Sequence, residues 1–229
     1  MRIKWLAGSS FLIVSDTGTR IITDPYSIEY EPEIPFDDPE QGNFMRRLPV
    51  TELADVVTIT HGHFDHSGVF SIQGNCDGVF QIYKGTHPVE IKGVKFNGIT
   101  TYHGGHRGTN IVISMEVDGI RILHLGDIGY KFSPKDLDRV GKVDILFIPW
   151  DDNDITLPFD VVDELISQVN PKVVFPMHHV VVDDFFKNKR NAFAVDSCEI
   201  EFTSDSLPAT TRIILLRPDL QELPLELNK

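Results

Sequence analysis

Short apolar runs dominate the first hundred residues and predict β-strands. Residues 2–6, residues 10–15 and Arg20–Thr23 are apolar segments separated by the turn-forming stretches Ala-Gly-Ser-Ser and Asp-Thr-Gly-Thr. The continuous apolar run Val56–Ile59 predicts a buried strand. Further short β segments are predicted near 78–83, 89–96 and 98–102. The first half of the chain is therefore expected to form mainly β-sheet.

The second half changes from a hairpin to alternating helices and strands. Apolar side chains alternate with Ser114 and Glu116, and Asp118-Gly119 then predicts a two-residue turn into Ile120–Leu125. Helices are predicted to begin at Ser133-Pro-Lys-Asp136 and to span Pro158–Val169. The apolar strands are Ile145–Pro149 and Val173–Met177, with late strands at 199–203 and 211–216. Strands followed by helix–strand units predict an α/β layered domain.

One irregular stretch, residues 26–49, interrupts this pattern. It holds four prolines and six acidic residues, followed by Phe44, Met45, Arg46 and Arg47. Long irregular loops in compact domains are commonly functional or disordered. The segment is interpreted either as a cap over the active cleft or as a plain surface insertion. The 229 residues otherwise fit a single domain, residues 1–229.

Composition narrows the classes of partner. The formal net charge of −13 argues against nucleic acid, which is bound through clustered Lys and Arg. No apolar run approaches the roughly 20 residues of a membrane span. Two cysteines form no disulfide framework, so a reducing compartment is expected. These features predict a cytoplasmic protein that binds neither nucleic acid nor membrane, and they leave a homo-oligomer open.

The densest cluster of potentially ligating side chains follows the run Val56–Ile59, where three histidines and an aspartate fall within six positions. These residues are His61, His63, Asp65 and His66. Imidazole and carboxylate groups are ligands that suit zinc, iron and manganese. In an extended chain His61 and His63 point to the same side. The alternative is a polar loop whose histidines face solvent.

Three later strand ends offer further ligands, although a lone histidine is more often a hydrogen-bonded or solvated residue. Tyr102-His-Gly-Gly-His106 provides His103, or His106 in its place. Gly126 allows a turn that directs Asp127 into a cleft, and His178 ends an apolar strand. The remaining polar candidates have supporting roles. His124 is expected to be packed, His179 to line the cleft, and Asp24 to accept a hydrogen bond from the motif loop or an imidazole.

The pattern His-x-His-x-Asp-His resembles the signature of the metallo-β-lactamase superfamily. The stretches Ile-Ile-Thr-Asp-Pro, Leu-Gly-Asp and Val-Val-Phe-Pro-Met-His extend the resemblance over about residues 2–180. Trp-Leu-x-x-Ser-x-Phe is similar to the subgroup related to ascorbate-6-phosphate lactonase. The resemblance implies a four-layer αββα sandwich, with two mixed sheets flanked by helices. Gly8 and Trp150-Asp151-Asp152 depart from the subgroup, which bears on the substrate rather than on the metals.

The same resemblance implies a ligand set and a reaction. One metal would be held by His61, His63 and His103, the other by Asp65, His66 and His178, with Asp127 as the bridge. Zn²⁺ is favoured and Mn²⁺ is the alternative. A metal-bridging hydroxide would hydrolyse a small anionic ester, lactone or phosphoester, as in a lactonase or phosphodiesterase, with Asp65 as proton shuttle. The alternatives are a di-iron redox protein of the same fold and a metal-binding regulatory protein without turnover.

Local charge is expected to draw an anionic substrate into this acidic chain. Two divalent metals outweigh the charges of Asp65 and Asp127, which predicts a positive cleft. Arg46 or Arg47, in the irregular segment, would be available to the substrate anion.

Overall fold

Two mixed β-sheets and two α-helices account for the regular structure in the computed structural model, which describes residues 1–26, 50–74, 80–83, 87–151, 156–178 and 189–219. The strands in chain order are β1 (Arg2–Ala7), β2 (Ser10–Val14), β3 (Arg20–Thr23), β4 (Leu53–Ala54), β5 (Val56–Ile59), β6 (Gln73–Gly74), β7 (Phe80–Tyr83), β8 (Val89–Ile91), β9 (Val94–Tyr102), β10 (Thr109–Val117), β11 (Ile120–His124), β12 (Ile145–Pro149), β13 (Val173–Met177), β14 (Ala192–Val195), β15 (Glu199–Glu201) and β16 (Arg212–Leu216). The helices are α1 (Pro134–Val140) and α2 (Phe159–Val169), and short 3-10 turns lie at Val69–Ser71, Gly104–His106 and Ser204–Ser206.

Each large sheet combines antiparallel and parallel pairing. The first sheet has the order β15-β1-β2-β3-β5-β7, antiparallel from β15 to β3 and parallel from β3 to β7. The second has the order β14-β16-β13-β12-β11-β10-β9-β8, parallel from β14 to β11 and antiparallel beyond. Strands β4 and β6 form a small parallel pair.

The core lies between the two large sheets. Phe11 of β2 stacks on Phe147 of β12, with ring centroids 4.2 Å apart and planes at 6°. Phe175 of β13 completes this aromatic contact. The alternate residue of β2, Leu12, packs on the opposite face in a smaller cluster with Ile22. The first sheet is thus buried on both faces, as the apolar character of its strands predicts.

Both helices begin within one residue of the predicted position, and α2 also ends where the sequence predicts. Ser133 caps α1, and its side chain exchanges hydrogen bonds with Asp136 in a capping box. Asn170 ends α2 in the left-handed conformation, with φ of 49°. Helix α1 connects the parallel strands β11 and β12, and α2 connects β12 and β13. The carboxyl ends of these strands therefore meet at one edge of the sheet, where open α/β sheets bind ligands.

The predicted α/β sandwich of two mixed sheets is confirmed, and the predicted break between the β segments 89–96 and 98–102 is wrong. Strand β9 runs continuously through Asn97-Gly98, whereas the turn before it lies at Lys92-Gly93. These two residues have φ of 49° and 80°, so the hairpin closes there. Strands β4, β6 and β14 were not predicted from the sequence, because they are short and carry little hydrophobic periodicity. Among the described helices, neither is long and apolar enough to cross a membrane.

Substitution of Phe11 by alanine should destabilise the protein by about 3–5 kcal/mol, because it opens a cavity between the sheets. The matched control is Phe193→Ala. Because Phe193 is 48% exposed, this substitution should lower the free energy of unfolding by about 0.5 kcal/mol or less. Urea denaturation followed by circular dichroism measures both. Equal losses for the two variants would contradict the packing described for Phe11.

Candidate metal centre

Six strand ends bring titratable side chains to one edge of the sandwich. Strand β3 is followed by Asp24, β5 by the segment from Thr60 to His66, and β9 by His103. In the second sheet, β11 is followed by Asp127, β12 by Asp151 and β13 by His178. Because these strands end at the same edge, residues far apart in sequence meet in one cluster.

The carboxylate of Asp127 lies at the centre of this cluster. Its Oδ2 atom is 3.2 Å from Nε2 of His103, 3.3 Å from Nε2 of His66 and 3.3 Å from Nε2 of His178. The Nε2 atom of His61 lies 3.8 Å away. The Nε2 atoms of four imidazoles therefore lie within 3.8 Å of one carboxylate oxygen, so Asp127 is the group that all four rings share.

Two further groupings surround that centre. His61, His63 and His103 offer donor atoms that all lie within 4.8 Å of one another, and so do Asp65, His66 and His178. Each group is therefore compact enough to hold one metal ion. The structure brings together all seven residues that the sequence assigns to the two metals, in the same two groups of three around Asp127.

A third compact grouping, which adds Asp24 to His61 and His66, has a different character. The Asp24 carboxylate accepts hydrogen bonds from the backbone N–H and the hydroxyl of Thr60 at 2.8 and 2.6 Å. It also lies 2.8 Å from Nδ1 of His66. With its oxygens engaged in this way, Asp24 orients the motif loop and one imidazole rather than facing the centre.

These contacts determine which nitrogen of each imidazole faces the centre. The single hydroxyl hydrogen of Thr60 goes to Asp24, so Nδ1 of His61, 3.0 Å from that hydroxyl oxygen, is the donor. The Nδ1 atoms of His66 and His103 lie 2.8 Å from the Asp24 carboxylate and the Gly104 carbonyl, which can only accept. In all three rings Nδ1 donates, and Nε2 is directed at Asp127.

Asp151 does the same for His178, a role that the sequence did not reveal. Its Oδ2 lies 2.7 Å from Nδ1 of His178, and its Oδ1 accepts a 2.6 Å hydrogen bond from Thr156. The stretch Trp150-Asp151-Asp152 departs from the subgroup, and within it Asp151 contacts a histidine that is expected to be a metal ligand. Asp152 lies outside the described residues. A carboxylate directly after a buried strand, β12, was the available signal.

The backbone around Asp127 leaves no room for a side chain at Gly126. Gly126 has φ of 55°, and a Cβ atom there would meet Asn110 Oδ1 at 2.3 Å and Thr60 Cβ at 2.7 Å. Asn110, fully buried, accepts a 3.1 Å hydrogen bond from the Asp127 backbone N–H and donates to the Leu125 carbonyl. The predicted turn therefore requires glycine at position 126 for two reasons: the residue adopts a positive φ, and a side chain would clash with its neighbours.

The neighbouring histidines take three different positions. His106 is exposed on the loop after β9 and belongs to none of the compact donor groups of the described residues, whereas His103 is buried in one. His124 is fully buried, with Nε2 2.9 Å from the Ser9 carbonyl and Nδ1 accepting from Gly126 N–H at 3.2 Å. Both of its nitrogens are thus engaged away from the centre.

His179 lies outside the described residues, as do Arg46, Arg47 and residues 27–49 of the irregular segment.

Charge in the cluster is strongly coupled. Burial lowers the pKa of His61 to about 3, so this imidazole is neutral at pH 7. Burial would also lower the pKa of His66, but the Asp127 and Asp65 carboxylates outweigh it and raise that pKa well above its usual value. Burial would raise the pKa of Asp127, yet His178 and His66 hold it well below the ordinary range. The carboxylates therefore favour positive charge on the neighbouring imidazoles. A bound divalent cation would supply that positive charge in place of the protons.

Several polar atoms that face the centre have no hydrogen bond among the described residues. They are Nε2 of His61, His66 and His103, and Oδ1 of Asp127. Buried polar atoms without a partner are uncommon in proteins and call for an explanation. Here the orphaned atoms are imidazole nitrogens and a carboxylate oxygen converging on one volume, which is a donor set that fits divalent cations.

Comparison with known proteins agrees with this chemistry. The chain is 27% identical over 230 residues to a protein of Carboxydothermus hydrogenoformans named "UPF0173 metal-dependent hydrolase", covering 85% of this chain and 94% of that protein. A protein of the same name from Methanobrevibacter smithii is 26% identical over 211 residues, covering 78% of this chain and 82% of the relative. Each is a similar protein along most of its length.

Solved structures agree as well. A Thermotoga maritima protein, whose name assigns it to the Zn-dependent hydrolases of the metallo-β-lactamase superfamily, is 27% identical with a TM-score of 0.72. The match covers 94% of this chain and 97% of that protein. The family described as "Beta-lactamase superfamily domain" matches residues 2–178, which include every described residue of the cluster. The chain therefore belongs to the β-lactamase superfamily domain family.

Proposed function

We propose that this protein is a metal-dependent hydrolase with a dinuclear centre. His61, His63 and His103 would hold one divalent cation, Asp65, His66 and His178 would hold the other, and Asp127 would bridge them. Zn²⁺ is the preferred ion and Mn²⁺ the alternative. The observation that carries this proposal is the convergence of four imidazole Nε2 atoms within 3.2–3.8 Å of Asp127 Oδ2.

The two groups of three donors support two ions rather than one. They share no residue, and each is compact by itself, while Asp127 touches members of both. A single ion would leave one group of buried nitrogens without a partner. The names of the similar proteins, which include metal-dependent hydrolases, support the same class of activity.

The reaction proposed is hydrolysis by activated water. When bound, two such cations lower the pKa of coordinated water and polarise the substrate oxygen. The chain supplies the rest: Asp127, whose side chain is only 2% exposed, keeps the spacing of the two groups, and Asp65 lies at the accessible side of the cluster. With a side chain 15% exposed, Asp65 can exchange a proton with solvent and is the proposed proton shuttle.

The substrate class proposed is a small anionic ester, lactone or phosphoester. Such bonds are cleaved by water with no serine or cysteine nucleophile, and the sequence holds no Gly-x-Ser-x-Gly motif. The developing negative charge on the attacked group would be stabilised where positive charge is concentrated, at the two ions.

The test of this function is metal dependence of turnover. Purified protein stripped with a chelator should lose hydrolysis of 4-nitrophenyl esters, lactones or bis(4-nitrophenyl) phosphate, and Zn²⁺ or Mn²⁺ should restore it. Elemental analysis after saturation should give two ions per chain, as two donor groups require. Turnover that persists after complete metal removal would defeat the mechanism. Oxygen consumption without hydrolysis would favour the redox alternative instead.

Replacement of Asp127 by alanine should lower kcat/KM by at least about a hundredfold, more than the loss expected for an outer hydrogen-bonding partner. The reason is that the two donor groups lose their shared ligand, while the sheets that form the core are unchanged. Steady-state kinetics, metal analysis and circular dichroism measure the three effects. Asp138→Ala, on the exposed side of α1, is the matched control. Wild-type turnover in the Asp127 variant would exclude a bridging role.

Two histidines three positions apart provide a sharp test of the ligand set. His103→Ala should reduce the zinc content and abolish turnover, because His103 Nε2 faces the centre. His106→Ala should retain both, because that side chain is exposed on the same loop. Metal analysis and kinetics of the two variants under identical conditions decide between them. The opposite result would make His106 the ligand.

A further inference from the structure

The local charge of the centre is more balanced than the sequence predicts. Asp24 and Asp151 lie 2.8 and 2.7 Å from imidazole nitrogens of His66 and His178, so they belong to the same charge cluster as Asp65 and Asp127. These four carboxylates formally offset the charge of two divalent cations. In a chain of net charge −13, an anionic substrate therefore needs a further cation at the mouth of the site.

Arg107 supplies a cation at that position. It lies on the loop between His103 and Thr109, and the rings of His103 and His63 are 4.9 Å apart at the base of this loop. Arg107 is exposed on this loop, which follows β9 at the edge of the sandwich where the proposed metal ligands lie.

The loop that carries Arg107 has a well-defined backbone. His103 N–H donates to the Gly108 carbonyl at 3.0 Å, which closes the loop, and Arg107 N–H donates to the Gly104 carbonyl at 3.3 Å. Gly105, His106 and Gly108 have φ of 59°, 58° and 110°, so the chain turns tightly on both sides of Arg107. The arginine is therefore presented from a tight turn anchored to a proposed metal ligand.

Arg107 also differs from most cationic residues of the described chain in its lack of an acidic partner. Lys4 contacts Glu52 and Asp219, and Lys189 contacts Asp163, at 2.6–2.9 Å. Within the described residues, no carboxylate lies within 4 Å of the Arg107 guanidinium. Its five N–H donors are thus free of acidic partners in that part of the chain and match the fork geometry of a carboxylate or phosphate.

We propose that Arg107 is a positioning residue that binds the anionic group of the substrate, a carboxylate or phosphate, beside the metal centre. This inference rests on the proposed hydrolase function and adds the residue that selects for negative charge. Because the anionic group is separate from the bond that breaks, Arg107 should contribute to substrate binding and little to the chemical step. Its loss should raise KM and leave kcat nearly unchanged.

The experiment compares two esters that share the 4-nitrophenyl leaving group and a five-carbon acyl chain. Mono-4-nitrophenyl glutarate carries a terminal carboxylate, and 4-nitrophenyl pentanoate carries a methyl group in its place. In Arg107→Ala, KM for the glutarate ester should rise about tenfold, as expected for one charge-assisted pair, while KM for the pentanoate ester should not change. Arg107→Lys should lose less, because it keeps the charge without the bidentate geometry.

Arg121→Ala is the matched control, since Arg121 lies near the start of β11, at the opposite end of that strand from the cluster, and should change neither KM. Zinc content should be equal in all variants. Titration of the zinc-loaded proteins with inorganic phosphate gives a readout independent of turnover, with binding about tenfold weaker in Arg107→Ala. An equal rise of KM for both esters, or no rise for either, would overturn the role of Arg107.

Failure of the proposed function has a different signature. If the wild-type protein hydrolyses neither ester, the hydrolase proposal fails on these substrates. The phosphate titration alone then tests whether Arg107 binds anions. Weaker phosphate binding by Arg107→Ala than by Arg121→Ala would then support the anion site. Equal binding by both variants would overturn it.

Discussion

A carboxylate removed from water stays ionised only where donors or cations act on it, and His178 and His66 hold the pKa of Asp127 well below its ordinary range. Its side chain is 2% exposed, and four imidazole nitrogens approach one of its oxygens. The arrangement is costly without positive charge, because burial alone would raise the pKa of Asp127. The surrounding structure can therefore be understood as the means of holding imidazoles around this one carboxylate, in an orientation that also suits metal ions.

That orientation depends on a layer of residues behind the rings. Asp24 and Thr60 position His61 and His66, and Asp151 positions His178, each through a hydrogen bond to Nδ1. Partners of this kind select the tautomer and fix the ring plane of a ligand. They come from the ends of β3, β5 and β12, so the register of the two sheets sets the geometry of the site. The stacked core around Phe11 and Phe147 keeps that register in turn.

The sequence predicted the residues that face the centre better than those behind them. His61, His63, Asp65 and His66 form a dense motif, and Asp127 and His178 follow strands that were evident from their apolar runs. The contacts of Asp151 and Asn110 could not be predicted, because a single polar residue at a buried strand has no period and no spacing that separates it from a solvated turn. The break predicted between the β segments 89–96 and 98–102 is wrong for a related reason. Asn97-Gly98 has turn composition, but its backbone is paired with Ile113 and Ser114 of β10.

Two of the strand ends that carry the cluster have a strained backbone. Asp24 and His178 have φ of 35° and 71°, in the left-handed region that residues with side chains seldom adopt. Each is held there by a backbone hydrogen bond, Asp24 N–H to Thr58 and His178 N–H to the Gly8 carbonyl at 2.8 and 3.1 Å. Such residues cost of order 1–3 kcal/mol each and persist only where the rest of the structure determines them. The rigid sandwich thus stabilises strained strand ends, because an extended continuation would carry both side chains away from Asp127.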